Sequence, residues 1–270
     1  MIALRPRLAA FALLLGASAG LGCDDPPAPP AAASASPSVA APALVAPPPS
    51  AVASAIAAEA APPPAPKKPV VCSKDNVVTL PDPDMEAPLR LKIPKPTGPL
   101  TRADLGKIRS IDFSQLKKAD ELDACLFPLF TNARSLYLAP GKVDDLSPIK
   151  TLTTLETLRI SVTSVRDLSP LAGLTKMDRL DLGRTPVSDL SPLAGMVNLT
   201  ELQIDDTEVS DLTPLSKMVK LEKLLMKRTR VRDLSPLRGL RSLKDLYSEG
   251  SLVQDITPVQ GIPGLKIHQS

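Results

Sequence analysis

The sequence predicts an α/β solenoid of stacked repeats, and three observations carry that prediction. The tetrapeptide D-L-S-P and its close copies begin at Asp145, Asp167, Asp189, Asp211, Asp233 and Asp255, every interval being 22 residues. Two positions before each aspartate stands a valine: Val143, Val165, Val187, Val209, Val231 and Val253. A strand-like L-x-x-L-x-L pattern runs through the same units in the same register. A unit this short cannot bury an apolar face alone, so in-register copies at a fixed period imply neighbours stacked into one continuous core.

The first element is a targeting segment, residues 1–22. Arg5 and Arg7 precede an apolar run from Leu8 to about Leu15, followed by small residues. That run is short of the roughly 20 apolar residues that span a bilayer and fits a secretory signal peptide. Ala17-Ser18-Ala19 offers an ordinary cleavage site. Gly20-Leu21-Gly22-Cys23 resembles a bacterial lipoprotein box, with Gly20 where the pattern prefers an aliphatic residue. The second reading makes Cys23 the lipidated first residue and places the protein in a bacterial cell envelope, anchored to a membrane.

Residues 23–69 follow as a linker. From Asp24 to Pro69 the chain holds 14 Pro and 17 Ala in 46 positions, too little bulky apolar surface to offset the entropy of ordering. The expectation is a disordered spacer with polyproline-II character, about 140 Å long if fully extended at roughly 3.1 Å per residue. Ordinary globular composition begins at Val70, and residues 70–130 read as an N-terminal cap. Val77, Val78 and Leu80 suggest a strand, as does the alternation of Leu89, Leu91 and Ile93 with Arg90 and Lys92. Leu116, Ala119, Leu122 and Leu126 have helical spacing. With Cys23 set aside, Cys72 and Cys125 form an even pair, and export favours a disulfide between them.

Residues 131–270 are the repeat domain with a short C-terminal cap; Ile108, Ile111 and Phe113 suggest a less regular first unit. In each strand segment two or three apolar side chains point inward, as Leu199, Leu202 and Ile204 do in one copy and Leu221, Leu224 and Met226 in the next. Thr163, Thr185, Thr207 and Thr229 recur where the chain turns out of the strand, where a hydroxyl can bond main-chain groups. The Ser or Thr before each Pro suits a helix N-cap with Pro at the first helical position, and the aspartate two residues earlier can accept main-chain N–H bonds.

The unit L-x-x-L-x-L-x-x-T-x-V-x-D-L-S/T-P-L-x-x-L resembles the leucine-rich repeat, and is similar to the repeats of internalins and of a regulatory subunit of a type 1 protein phosphatase. The resemblance covers about residues 105–267. It implies a concave parallel β-sheet, a convex side of 3-10 and turn segments, and a scaffold that binds proteins. Gly141 and Ser251 depart from the threonine column at its ends.

Composition bears against catalysis. A nucleophilic serine needs a base, and the one histidine, His268, lies outside the regular repeats. A catalytic residue occurs once per site, whereas this Ser/Thr-Pro occurs six times. The aspartates lack the Gly-rich loops of calcium-binding repeats. The reading is therefore no enzyme, no cofactor, no metal and no small-molecule substrate.

The expected site is a protein-binding face on the concave sheet. Its central column is Tyr137, Arg159, Asp181, Gln203, Leu225 and Tyr247, which holds both tyrosines of the chain. Tyrosine suits an interface because it offers area with a polar handle. An acidic strip, Glu201, Asp205, Asp206 and Glu208, precedes a basic strip that includes Lys227, Arg228 and Arg230. Side by side, these pair with each other or with a complementary partner protein. A net charge of +3 spread in this way does not predict nucleic-acid binding.

Overall fold

Residues 70–117 and 120–269 are described by a computed structural model; the predicted leader and linker, Cys23 included, lie outside the described residues. Eight short parallel strands form one sheet in strict chain order. They are β1 (Ser110–Asp112), β2 (Ser135–Tyr137), β3 (Thr157–Arg159), β4 (Arg179–Asp181), β5 (Glu201–Gln203), β6 (Lys223–Leu225), β7 (Asp245–Tyr247) and β8 (Lys266–His268). From β2 to β7 each residue pairs with the one 22 positions on, so Leu136, Leu158, Leu180, Leu202, Leu224 and Leu246 stack in one column. All six are buried, and Ile111 continues the column at the N-terminal end.

The D-L-S-P corner has a physical job in every coil. Asp145, Asp167, Asp189, Asp211, Asp233 and Asp255 each use Oδ1 to accept the N–H two residues on, at 2.7–2.8 Å. The turn that follows is a short 3-10 segment at five of the corners, such as Ser191–Leu193, and at the sixth a single α-turn, α3 (Thr257–Gln260). The expected hydroxyl cap is corrected here. The Ser or Thr is the first residue of the turn, not its cap, and its hydroxyl accepts none of the turn's free N–H groups. The aspartate takes that role because its carboxylate reaches back across two residues in an Asx-type bond. At Asp233 the hydroxyl and the N–H of Ser235 together hold the carboxyl below its ordinary value.

The threonine column closes the other corner. Thr163, Thr185, Thr207 and Thr229 are buried, and each hydroxyl donates to the carbonyl three residues earlier at 2.6–2.9 Å. Ser251, which breaks the pattern in sequence, keeps the bond, donating to Ser248 O at 2.7 Å. Just before each threonine the chain turns through positive φ, at Val162 (60°), Arg184 (57°), Asp206 (55°) and Arg228 (53°), with Gly250 (69°) in the next coil.

The cap differs from its sequence reading in two places. The predicted strand at 89–93 is a helical turn, α1 (Glu86–Arg90). Leu89 and Ile93 are four residues apart and both buried, whereas Leu91 is 84% exposed; an i, i+4 pair fits one helix face as well as it fits an alternating strand. Arg90 and Glu86 clasp the turn at 2.6 Å. The predicted helix over 116–126 is absent from its described residues. There Asp123 Oδ1 accepts the N–H of both Cys125 and Leu126 at 2.7 Å, fixing a turn that lays Leu126 and Phe127 into the core. Of the suggested strand at 77–80, only Val77 pairs, in one antiparallel bridge to Thr101. Phe113, Phe127 and Phe130 close the N-terminal end of the leucine stack with edge-to-face contacts at 6.3 and 6.0 Å. Thr101 and Asp104 form a capping box on α2 (Arg102–Leu105), and hydrogen bonds from Lys95 and Thr101 lower the Asp104 carboxyl to about 2. Cys72 and Cys125 form a disulfide across a separation of 53 residues. Among the described residues no helix is long and apolar enough to cross a membrane.

Two outcomes follow from this geometry. Val162 is β-branched and held at positive φ, which costs about 1–3 kcal/mol. Val162→Asn, with a residue that tolerates that region, is expected to raise stability by about 1 kcal/mol in urea unfolding. Closing a loop of 53 residues restricts the unfolded chain by about 4 kcal/mol in the chain-entropy treatment. Cys72→Ser should therefore lower unfolding free energy by several kcal/mol, and reductant should bring the wild type to the same midpoint.

Candidate functional site: the concave face of the sheet

Within each strand the middle residue enters the core and its two neighbours face outward, which builds straight columns on the open side of the sheet. In the pairing register Tyr137, Arg159, Asp181, Gln203, Leu225 and Tyr247 are one run of neighbours. It continues to Asp112 at one end and His268 at the other. Two parallel columns flank it. One includes Glu201, Lys223 and Asp245; the other, just past the strands, includes Asp205, Lys227 and Glu249.

Charges on this face are answered across the rungs. Arg159 meets Asp181 at 3.1 Å, Lys223 meets Glu201 at 3.1 Å, and Lys227 meets Glu249 at 3.0 Å. Asp205 accepts the Lys227 N–H at 2.7 Å and the Gln203 side-chain amide at 3.1 Å. Arg228 grips Asp206 with two hydrogen bonds of 2.5 and 2.6 Å. The acidic and basic strips therefore pair with one another in large part.

The two arginines named with this face follow β6 in the chain. Arg228 sits in the positive-φ turn beyond β6. Arg230 lies two residues further on, its N–H bonded to Val209 O, in the segment that leaves the sheet. Cys72 and Cys125 serve the cap, joined to each other as a disulfide.

The C-terminal half of the face gathers the distinctive chemistry. The Tyr247 ring lies parallel to the His268 ring, 5° between planes and 4.2 Å between centroids. Lys227 Nζ stands 4.9 Å from the Tyr247 centroid and Lys223 Nζ 5.9 Å, both within cation–π reach. His268 Nε2 lies 3.8 Å from Asp245 Oδ1. Leu225 is the next rung, so an aliphatic, an aromatic and an imidazole side chain run side by side between two lysines. Sequence reasoning missed His268, because β8 follows β7 by 21 residues rather than 22. Ile267 in a strand position was the available signal. Among the described residues no group of three His, Cys, Asp or Glu side chains could hold a metal ion.

With strands, corners and columns in place, the architecture is decided. The fold is a leucine-rich repeat solenoid. It is similar to an internalin C2 (inlC2) from Listeria monocytogenes, 26% identical, with a TM-score of 0.57 over 70% of this chain and 94% of that one. It is also similar to an internalin (inlF) from the same organism, 27% identical, with a TM-score of 0.60 over 70% of this chain and 55% of that one. No family model and no curated protein matches the sequence.

Adjacent carboxylates in this leucine-rich repeat domain respond oppositely to pH. Hydrogen bonding from Arg228 holds Asp206 below its ordinary value of 3.8, whereas burial pushes Asp205 above it. The Asp206 contribution is fully present above pH 3.8 and is lost as pH falls through the lower folded value. The Asp205 group favours the fold below pH 3.8 and loses that contribution as pH rises through its raised value. Asp206→Asn should make the acid limb of a Tm–pH profile shallower and lower Tm at neutral pH. Asp205→Asn should leave neutral Tm unchanged or raise it.

Proposed function

We propose that this chain is an exported leucine-rich repeat protein, anchored to a bacterial envelope membrane by lipid on Cys23, that binds a protein partner through its concave face. One observation carries the binding assignment: the Leu225–Tyr247–His268 run flanked by Lys223 and Lys227. Both lysines are already answered by Glu201 and Glu249, so the patch offers aromatic and aliphatic area with polar edges and little unbalanced charge. That is the chemistry of a protein interface, where Tyr supplies buried area at low entropic cost. A polyanion needs unpaired cations in a row instead. The leader and the Pro/Ala-rich segment support export and tethering from sequence, and the similarity to internalins supports the scaffold role.

The second reading is a structural envelope protein that assembles with itself, which the regular 22-residue period of the coils favours. A photo-crosslinking residue at Leu225 in the full chain, against one at Val219 in the turn before β6, separates the two. The binding reading expects a conjugate with a different protein from position 225 and none from 219. No conjugate, or one of twice the chain's own mass, contradicts it and in the latter case favours self-assembly. Mass spectrometry of the mature N-terminus checks the anchor: a diacylglyceryl adduct on Cys23 supports it, and a free Gly20 removes it.

A further inference from the structure

A second constellation lies on the rim of the sheet, at the residues just before each strand. Because the strands pair in register, these rim residues also form a ladder. Toward its C-terminal end the ladder is satisfied internally. Lys244 meets Glu222 at 2.7 Å, the Thr200 hydroxyl donates to Asp178 Oδ1 at 2.6 Å, and Lys220 donates to Asn198 Oδ1 at 2.8 Å.

The N-terminal end differs. Arg109 and Arg134 occupy successive rungs, and like charges on adjacent strands repel. Among the described residues only Glu156 answers them, at 3.0 Å from Arg134. Arg109, Arg134 and Lys176 line one open cavity of about 110 Å³ together with Asn132, Thr154 and Glu156. Among the described residues neither Arg109 nor Lys176 has a side-chain hydrogen bond or ion pair. The neutral groups are committed elsewhere: the Thr154 hydroxyl donates to Ala133 O at 2.7 Å, and the Asn132 amide donates to Gly106 O at 2.6 Å. Three cations therefore converge on one carboxylate, and the cavity keeps an excess of positive charge that an added anion would offset.

We propose that this cavity binds a phosphate-class oxyanion between Arg109, Arg134 and Lys176. Planar guanidinium groups match the paired oxygens of a phosphate, and the lysine supplies a point charge from the segment before β4. The cavity is open, so the group is either free phosphate or the headgroup of a phospholipid. The site stands apart from the central column of the concave face, and its assignment does not depend on the protein-binding reading.

The test titrates inorganic phosphate into the full chain at low ionic strength, with chloride as control, by isothermal calorimetry. Saturable binding is expected, weakened at least tenfold in R109Q/K176Q and unchanged in K220Q. Glu156→Gln removes the competing carboxylate and should tighten phosphate binding severalfold, a gain that misfolding cannot produce. Absence of saturable binding, or equal affinity in wild type and R109Q/K176Q, overturns the site. Vesicles of phosphatidylglycerol and phosphatidylcholine, against phosphatidylcholine alone, separate the sources, since wild type and variant share the same N-terminus. Weaker sedimentation of R109Q/K176Q with the anionic vesicles assigns a headgroup; phosphate binding with equal sedimentation assigns the free anion.

Discussion

Each coil of this chain has an apolar face that it cannot bury by itself, and the unbroken column from Leu136 to Leu246 is the contact on which the rest depends. Full burial of one such side chain stabilises by about 1.5–3 kcal/mol, and each leucine obtains that burial only because the next coil is in register. The corners exist to preserve the register. An aspartate carboxylate holds the entry to the convex turn and a buried threonine hydroxyl holds the exit from the strand, so every coil consumes the same length of chain. The aromatic cluster of Phe113, Phe127 and Phe130 ends the stack where the period itself changes, β1 and β2 being 25 residues apart.

That constraint also governs the surface. A fixed register turns every outward position into a ladder, and a ladder places charges from successive coils within reach of one another. Arg159 and Asp181, Lys223 and Glu201, and Lys227 and Glu249 are rung-to-rung pairs of this kind. Exposed pairs add little to stability, but they remove net charge from the face. What stays distinctive is where the pairing stops or changes character: the stacked Tyr247 and His268 at one end, and the cations around Arg109 and Lys176 on the opposite rim.

Periodicity made the regular part of the fold legible. The strands from β2 to β7, the inward leucines, the aspartate bonds and the central column could all be read from a spacing of 22, because one mistake of register would have disrupted every copy. Where only one copy exists, the sequence was ambiguous. Leu89 and Ile93 fit strand and helix periods alike, and the helical turn buries both while leaving Leu91 exposed. The spacing from Leu116 to Leu126 suggests a helix, yet Asp123 spends its carboxylate on a turn. β8 was hidden by a single missing residue, and His268 with it.

The site differs from the scaffold in the same terms: the scaffold repeats and the site does not. The motif D-L-S-P, which in isolation resembles a reactive serine in a turn, is a corner whose carboxylate is structural. Urea unfolding of three variants from one coil tests that account directly. Leu202→Ala should cost about 2–5 kcal/mol, Asp189→Ala about 1 kcal/mol through loss of the bond to the Ser191 N–H, and Ser191→Ala no more than about 0.5 kcal/mol. A Ser191→Ala cost equal to or above that of Asp189→Ala would contradict it.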